Sequence, residues 1–250
     1  MKQFFSFFIF LLFLFVLWKV LSLAFRIHEG MELAGRSEPF AQAPSRAVLT
    51  MAVVGDSTAV GTGVTNPAFS VAGRIARDYP AVTIRNLGND GERFEEVVTQ
   101  LEKLPDGKFD ILLIQAGGND ILRFTPLERL ERKVSEALNT ARKKGRHVFF
   151  MSTGNVGLAP AFFAPISWIY EERTRKARRI FISESSSQGV EYVDLFRERS
   201  EDPFLKDPEK YYASDMIHPS NEGYGLWYGE LMRQTPLSSL LWKAERSLNP

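Results

Sequence analysis

The 250-residue chain contains no cysteine. Disulfides, thiolate nucleophiles and cysteine-held zinc or iron–sulfur centres are thereby excluded, and nothing follows about compartment. Histidine is nearly as scarce, with only His28, His147 and His218. His28 lies just past an apolar leader, and His147 follows the basic stretch Arg142-Lys143-Lys144-Gly145-Arg146. For imidazole acid–base chemistry near neutral pH, His218 is the candidate. Excess charge is also missing. Setting aside Lys2, Lys19, Arg26 and Arg36 from 31 basic residues, and Glu29, Glu32 and Glu38 from 30 acidic ones, leaves 27 of each from Pro39 onward. That balance excludes a basic nucleic-acid footprint. There is no phosphate-binding P-loop and no zinc-like histidine–carboxylate cluster.

What the chain has in abundance is an apolar amino terminus. Phe4 to Trp18 is interrupted only by Ser6, and Val20 to Phe25 extends it past Lys19, with eight of the twenty phenylalanines inside. About 20 apolar residues cross a bilayer core of roughly 30 Å. Lys2 and Ser22-Leu23-Ala24 have the pattern of a signal peptide, but the run exceeds the ~7–15 apolar residues usual there. Residues 1–25 are therefore expected to be a membrane anchor, retained rather than cleaved. The domain would then lie on the extracytoplasmic side, or be secreted if the leader is cut. Lys2 competes with Arg26 and Arg36, so flanking charge leaves the orientation open. Residues 26–46, with Gly30, Gly35, Pro39 and Pro44, read as a linker. One domain follows over 47–250, long enough for a substantial core.

Beyond the linker, short apolar runs alternate with helical spacing. Val48–Val54, Val82–Leu87, Ile111–Ala116, Val148–Met151 and Val190–Leu195 read as strands buried on both faces. Glu92–Leu104, Pro126–Lys144, Trp168–Ser187 and Asn221–Arg233 read as helices. This alternation implies an α/β fold with a parallel sheet covered on both sides.

Four polar blocks follow predicted strands. Gly55-Asp56-Ser57 follows the first, at the carboxyl edge where open α/β sheets place ligands. Asn86-Leu87-Gly88-Asn89-Asp90-Gly91 follows the second, Gly117-Gly118-Asn119-Asp120 the third, and Asp215-Met216-Ile217-His218-Pro219 lies beyond the fifth. Each alone has an ordinary explanation as a turn or a helix cap. Together they supply the parts of one machine. A serine hydroxyl needs a base, which His218 provides, and Asp215 can orient the imidazole. The amides of Gly91 and Ser57 and the side chain of Asn119 are donors for an oxyanion.

In these four blocks, with Gly223-Tyr224 just after, the chain resembles the SGNH (GDSL-type) hydrolases. The resemblance spans residues 55–224. It implies a flavodoxin-like three-layer α/β/α sandwich with a five-stranded parallel sheet in the order 2-1-3-4-5. It implies ester hydrolysis through Ser57, His218 and Asp215, an oxyanion hole of Ser57, Gly91 and Asn119, and no cofactor. Gly88 competes with Gly91, which is preferred because the family pattern puts that glycine five residues after the asparagine. An α/β-hydrolase elbow is rejected because too little domain precedes Ser57.

Substrate choice is less legible. The apolar segment Gly157 to Trp168 is expected either to line the site for an acyl chain, through Phe162 and Phe163, or to pack as a lid. The run Arg173, Arg175, Lys176, Arg178 and Arg179 reads as anionic-lipid contact or as a solvated helix face. The expected substrate is a lipid or short acyl ester, with a sugar O-acetyl ester as the alternative. A non-catalytic anchored binding module is the competing class, and oligomeric state is left open.

Overall fold

The computed structural model describes residues 2–107 and 109–246. It begins with one long helix, α1 (Lys2–Arg36), followed by β1 (Leu49–Gly55), α2 (Ser57–Val60) and α3 (Val71–Asp78). Then come β2 (Val82–Asn86), α4 (Phe94–Glu102), β3 (Phe109–Gln115), α5 (Gly118–Leu122), α6 (Leu127–Lys144) and β4 (Gly145–Met151). The described part ends with α7 (Ile166–Gln188), β5 (Glu191–Val193), the one-turn helices α8 (Pro203–Lys206) and α9 (Pro208–Tyr211), α10 (Asn221–Gln234) and α11 (Leu237–Arg246). The strands form one parallel sheet in the expected order, β2-β1-β3-β4-β5.

Because successive strand residues point to opposite faces, each apolar run feeds two cores. Met51 and Val53 join Ile84, Ile111, Leu113 and Phe149 under α3, α10 and α11. Ala52 and Val54 join Leu112, Ile114 and Phe150 under α4, α6 and α7. There Phe94, Phe150 and Phe181 meet edge to face and tilted, at centroid distances of 5.3–5.8 Å. Two-sided burial explains why β1 and β3 read as continuous apolar runs.

Two strands begin earlier than their apolar runs. Gly145 pairs with Phe109 and His147 with Ile111. The ladder thus extends β4 from buried Gly145 through exposed Arg146 and half-buried His147, two basic residues that an apolar run does not include. The exposed edge of β2 is covered by an antiparallel bridge from Gln42 to Ile84, with amide–carbonyl distances of 3.1 and 2.9 Å. Such cover blunts an edge that would otherwise pair with another chain.

The expected linker is only partly irregular, since residues 26–36 continue α1 without a break. Ile27, Gly30, Met31 and Ala34 recur at i, i+3, i+4 and i+7, a helical stripe. On the exposed side, Glu32 pairs with both His28 and Arg36 at helical spacing. The two glycines, read as punctuation, sit inside a helix. α1 is long and apolar enough to cross a membrane, with a mean hydropathy of 2.5 over its best window.

Candidate active site

Ser57 occupies the first turn after β1 because Gly55 lets the strand end turn sharply. Gly55 has φ +145°, and a Cβ there would lie 1.8 Å from the Gln115 carbonyl oxygen. The cap of α2 is Asp56, not Ser57. The Asp56 carboxylate accepts from the Thr58 amide at 2.9 Å and the Thr58 hydroxyl at 2.7 Å. That leaves the Ser57 hydroxyl for another partner, and the partner is His218. Its Nε2 lies 3.0 Å from Ser57 Oγ.

The other ring nitrogen of His218, Nδ1, is 2.5 Å from Asp215 Oδ2. Asp215 is fully buried, and its Oδ1 accepts from the amides of Ile217 and His218, both at 3.0 Å. This tight turn is made by Met216, a non-glycine residue at φ +57°. Directly after it, Ser220 caps α10, accepting from the amides of Glu222 and Gly223. Chemically, the chain of contacts suits a hydroxyl nucleophile, an imidazole base and a carboxylate that holds the imidazole tautomer.

Electrostatics separates the carboxyl groups. Burial by itself pushes Asp215 up. The His218 hydrogen bond and charge, with the Ile217 and His218 amides, outweigh it and hold the group below the usual carboxylate value. Asp56 goes the other way, pushed up to about 6, because burial outweighs the Thr58 hydrogen bonds and the pull of His218. Asp90 and Asp120 are likewise raised by burial.

The oxyanion candidates gather around Ser57. Gly91 and Asn119 line the same cleft as Ser57 and His218. The amides of Ser57 and Gly91 have no acceptor among the described residues. One Asn119 side-chain N–H donates to the Glu92 carbonyl at 3.1 Å, which fixes the group and leaves its second N–H for the cleft. Gly88, the alternative, has its amide bonded to Asn86 Oδ1 at 2.9 Å. It is absent from the described cleft lining, and a Cβ there would meet Ala59 at 2.8 Å. Gly88 keeps the loop close to α2, while Gly91 faces the cleft.

The cleft has a volume of about 440 Å³, within the usual size of a small-molecule site. Its lining corrects the expectation for Phe162 and Phe163, since neither is among the described residues that line it. Phe162 packs against Tyr170 at a centroid distance of 4.7 Å, and Phe163 lies beneath the Lys19 ammonium at 5.7 Å. Val156 and Ala159 of the same apolar segment do line the cleft. The opposite wall was missed by sequence reasoning: Ile27, Gly30, Met31 and Ala34 of α1. Their helical spacing was the available signal. The basic run of α7 is largely engaged within the protein. Arg175, Lys176 and Arg178 pair with Glu171 and Glu198, Glu172, and Asp194.

Comparison with known proteins fits this geometry. Residues 53–226 match the model of the GDSL-like Lipase/Acylhydrolase family. Among solved structures, a lipase from goat rumen metagenome superposes with a TM-score of 0.58 at 18% identity, covering 74% of this chain and 97% of that one. A member of the lipolytic G-D-S-L family from Veillonella parvula gives 0.56 at 16%, with 74% and 96% coverage. An acetylxylan esterase from Geobacillus stearothermophilus gives 0.53 at 17%, with 75% and 94% coverage. At these identities the likeness speaks to the fold alone. No curated protein sequence matches the chain.

Proposed function

Since the chain belongs to the GDSL-like lipase/acylhydrolase family, we propose that it is a membrane-anchored serine esterase using Ser57, His218 and Asp215. The observation that carries the reading is the unbroken contact path from Asp215 Oδ2 through His218 to Ser57 Oγ, with distances of 2.5 and 3.0 Å. In the proposed reaction Ser57 Oγ attacks the ester carbonyl carbon while His218 Nε2 takes its proton. Negative charge develops on the carbonyl oxygen, facing the amides of Ser57 and Gly91 and the Asn119 side chain. Such donors act most strongly on this developing charge. Collapse breaks the ester C–O bond, and His218 returns the proton to the departing alcohol. Water then attacks the acyl-Ser57 carbon with His218 again as base; the carbon–Oγ bond breaks, His218 returns the proton to Ser57 Oγ, and the carboxylic acid leaves.

The proposed organisation places residues 1–25 across the membrane and the hydrolase domain, 47–250, on the extracytoplasmic side. Residues 26–46 join them, helically as far as Arg36. The apolar lining from Val156, Ala159, Ile27 and Met31 supports lipid or short acyl esters over a sugar acetate. A fluorophosphonate probe tests the chemistry. It should label the wild type and not Ser57→Ala, and His218→Ala should lose turnover of p-nitrophenyl esters. No labelling of folded wild type would favour a binding module, and equal labelling of wild type and Ser57→Ala would remove Ser57 as nucleophile.

A further inference from the structure

The anchor and the candidate active site share one helix. α1 runs without interruption for 35 residues, about 52 Å at 1.5 Å per residue. Its apolar part, Phe4 to Phe25, accounts for about 33 Å of that length, enough to cross a hydrocarbon core of roughly 30 Å. Arg26 then marks the membrane boundary, and Gly30 stands only about 6 Å beyond it.

At that height the helix lies against the site. Arg26 Nη1 donates to the Ser214 carbonyl at 2.6 Å. One turn on, Gly30 passes over the buried Asp215, and a Cβ there would stand 3.0 Å from Asp215 Oδ2. A glycine inside a helix costs about 0.5–1 kcal/mol relative to alanine. Here it allows the close approach. Ile27, Met31 and Ala34, on the same stripe, face the cleft that holds Ser57 and His218.

The segment that follows the other wall, Val156 and Ala159, also reaches toward the bilayer. Phe163 sits under Lys19, at the level of the apolar span rather than beyond it. Five residues later, Trp168 and Ile169 are 63% and 52% exposed at the start of α7. Large apolar side chains bared together mark a contact surface, and tryptophan concentrates at membrane–water interfaces. The cleft thus opens between two elements, α1 and the chain running on from Ala159 into α7, that both reach the membrane surface.

We propose that the last turns of α1 form one wall of the substrate site, and that its occupant is the acyl chain of a membrane lipid ester. This rests on the serine-esterase reading. The chain lies between α1 and the Val156–Ala159 wall, with its ester group at Ser57. That position falls within the headgroup zone, about 5–7 Å deep on each side of the core. A soluble sugar acetate has no use for such a wall.

The test uses the full chain in detergent micelles and compares kcat/KM for p-nitrophenyl dodecanoate with that for p-nitrophenyl acetate. Met31→Asp is expected to lower the dodecanoate-to-acetate ratio at least tenfold, chiefly through KM, and Met31→Leu to restore it. Gly30→Leu, which presses a side chain against Asp215, is expected to lower turnover of both esters. An unchanged ratio in Met31→Asp, in protein that still takes the fluorophosphonate label, overturns the proposal. So does preferential cleavage of an acetylated sugar that is indifferent to Met31→Asp. Failure of the esterase reading is distinct, because wild type would then show no Ser57-dependent labelling.

Discussion

Replacing Asp215 by asparagine separates orientation from folding. Asp215 Oδ1 accepts from two amides, Ile217 and His218, and Oδ2 accepts from His218 Nδ1. An asparagine must keep its oxygen on the amide side, because turning its NH2 there leaves two amides without an acceptor. Each such loss costs about 1–3 kcal/mol. The NH2 therefore faces His218 Nδ1 and donates to it. The imidazole proton is forced onto Nε2, pointing at Ser57 Oγ, and the ring can no longer take the serine proton. In a Ser-His-Asp triad, the wrong tautomer costs about 10⁴ in kcat, or ~5.5 kcal/mol of transition-state stabilisation. The assay is steady-state hydrolysis of a p-nitrophenyl ester at pH 8, beside thermal unfolding. The expected result is a loss of about four orders of magnitude with Tm within a few degrees of wild type. Asp215→Ala, which strips both amides of their acceptor, should also lose stability. If Asp215→Asn keeps kcat within tenfold of wild type, Asp215 does not set the tautomer and the argument fails.

Other expected outcomes follow from the same geometry. Asn119→Ala should lower kcat by about 10²–10³ with little change in KM, since its donor acts on the developing oxyanion. Asp56, pushed up to about 6, binds its proton more tightly folded than unfolded. Its neutral form favours folding at low pH, and that benefit is lost as pH rises from its ordinary value of 3.8 through 6. Asp56→Asn should therefore gain about 2–3 kcal/mol on wild type between pH 4 and pH 7 in urea unfolding, and a flat difference would refute the shift. Phe162→Ala should leave chain-length preference unchanged, because Phe162 packs on Tyr170 outside the cleft lining; a shifted profile across acyl lengths would contradict that placement.

Much of the fold was legible because burial on both faces writes strands as unbroken apolar runs, as in β1 and β3. The four polar blocks were legible because each falls at a strand end or beyond the last strand, where chemistry-bearing residues stand out. The start of β4 was hidden, since the ladder to Phe109 recruits basic residues that burial would exclude. α3 was missed, although Val71, Ala72, Ile75 and Ala76 form a buried helical face; its short span falls below the window in which periodicity speaks. The reach of α1 to Arg36 was masked by Gly30 and Gly35. Local propensity marks such glycines as breaks, whereas close approach to Asp215 gives Gly30 a different purpose. Phe162 and Phe163 misled because apolar character alone does not say which side a loop presents.

Ser57 and His218 stand 161 residues apart in sequence, and their meeting depends on α10. Three ties hold its amino end to the chain just after Ser57. The Tyr224 hydroxyl donates to the Thr62 carbonyl at 3.0 Å, the Thr65 amide to Asn221 Oδ1 at 3.0 Å, and Arg74 Nη2 to the Asn221 carbonyl at 2.6 Å. Contacts of such long range require the closure of a large loop. α10 also sets Tyr224, Trp227 and Leu231 into the core beneath Met51, Val53 and Ile111, so its docking closes one face of the sheet as it brings His218 to Ser57. In the proposed esterase, the hydroxyl–imidazole pair thus forms only with the docking of α10, close to the carboxyl end of the chain.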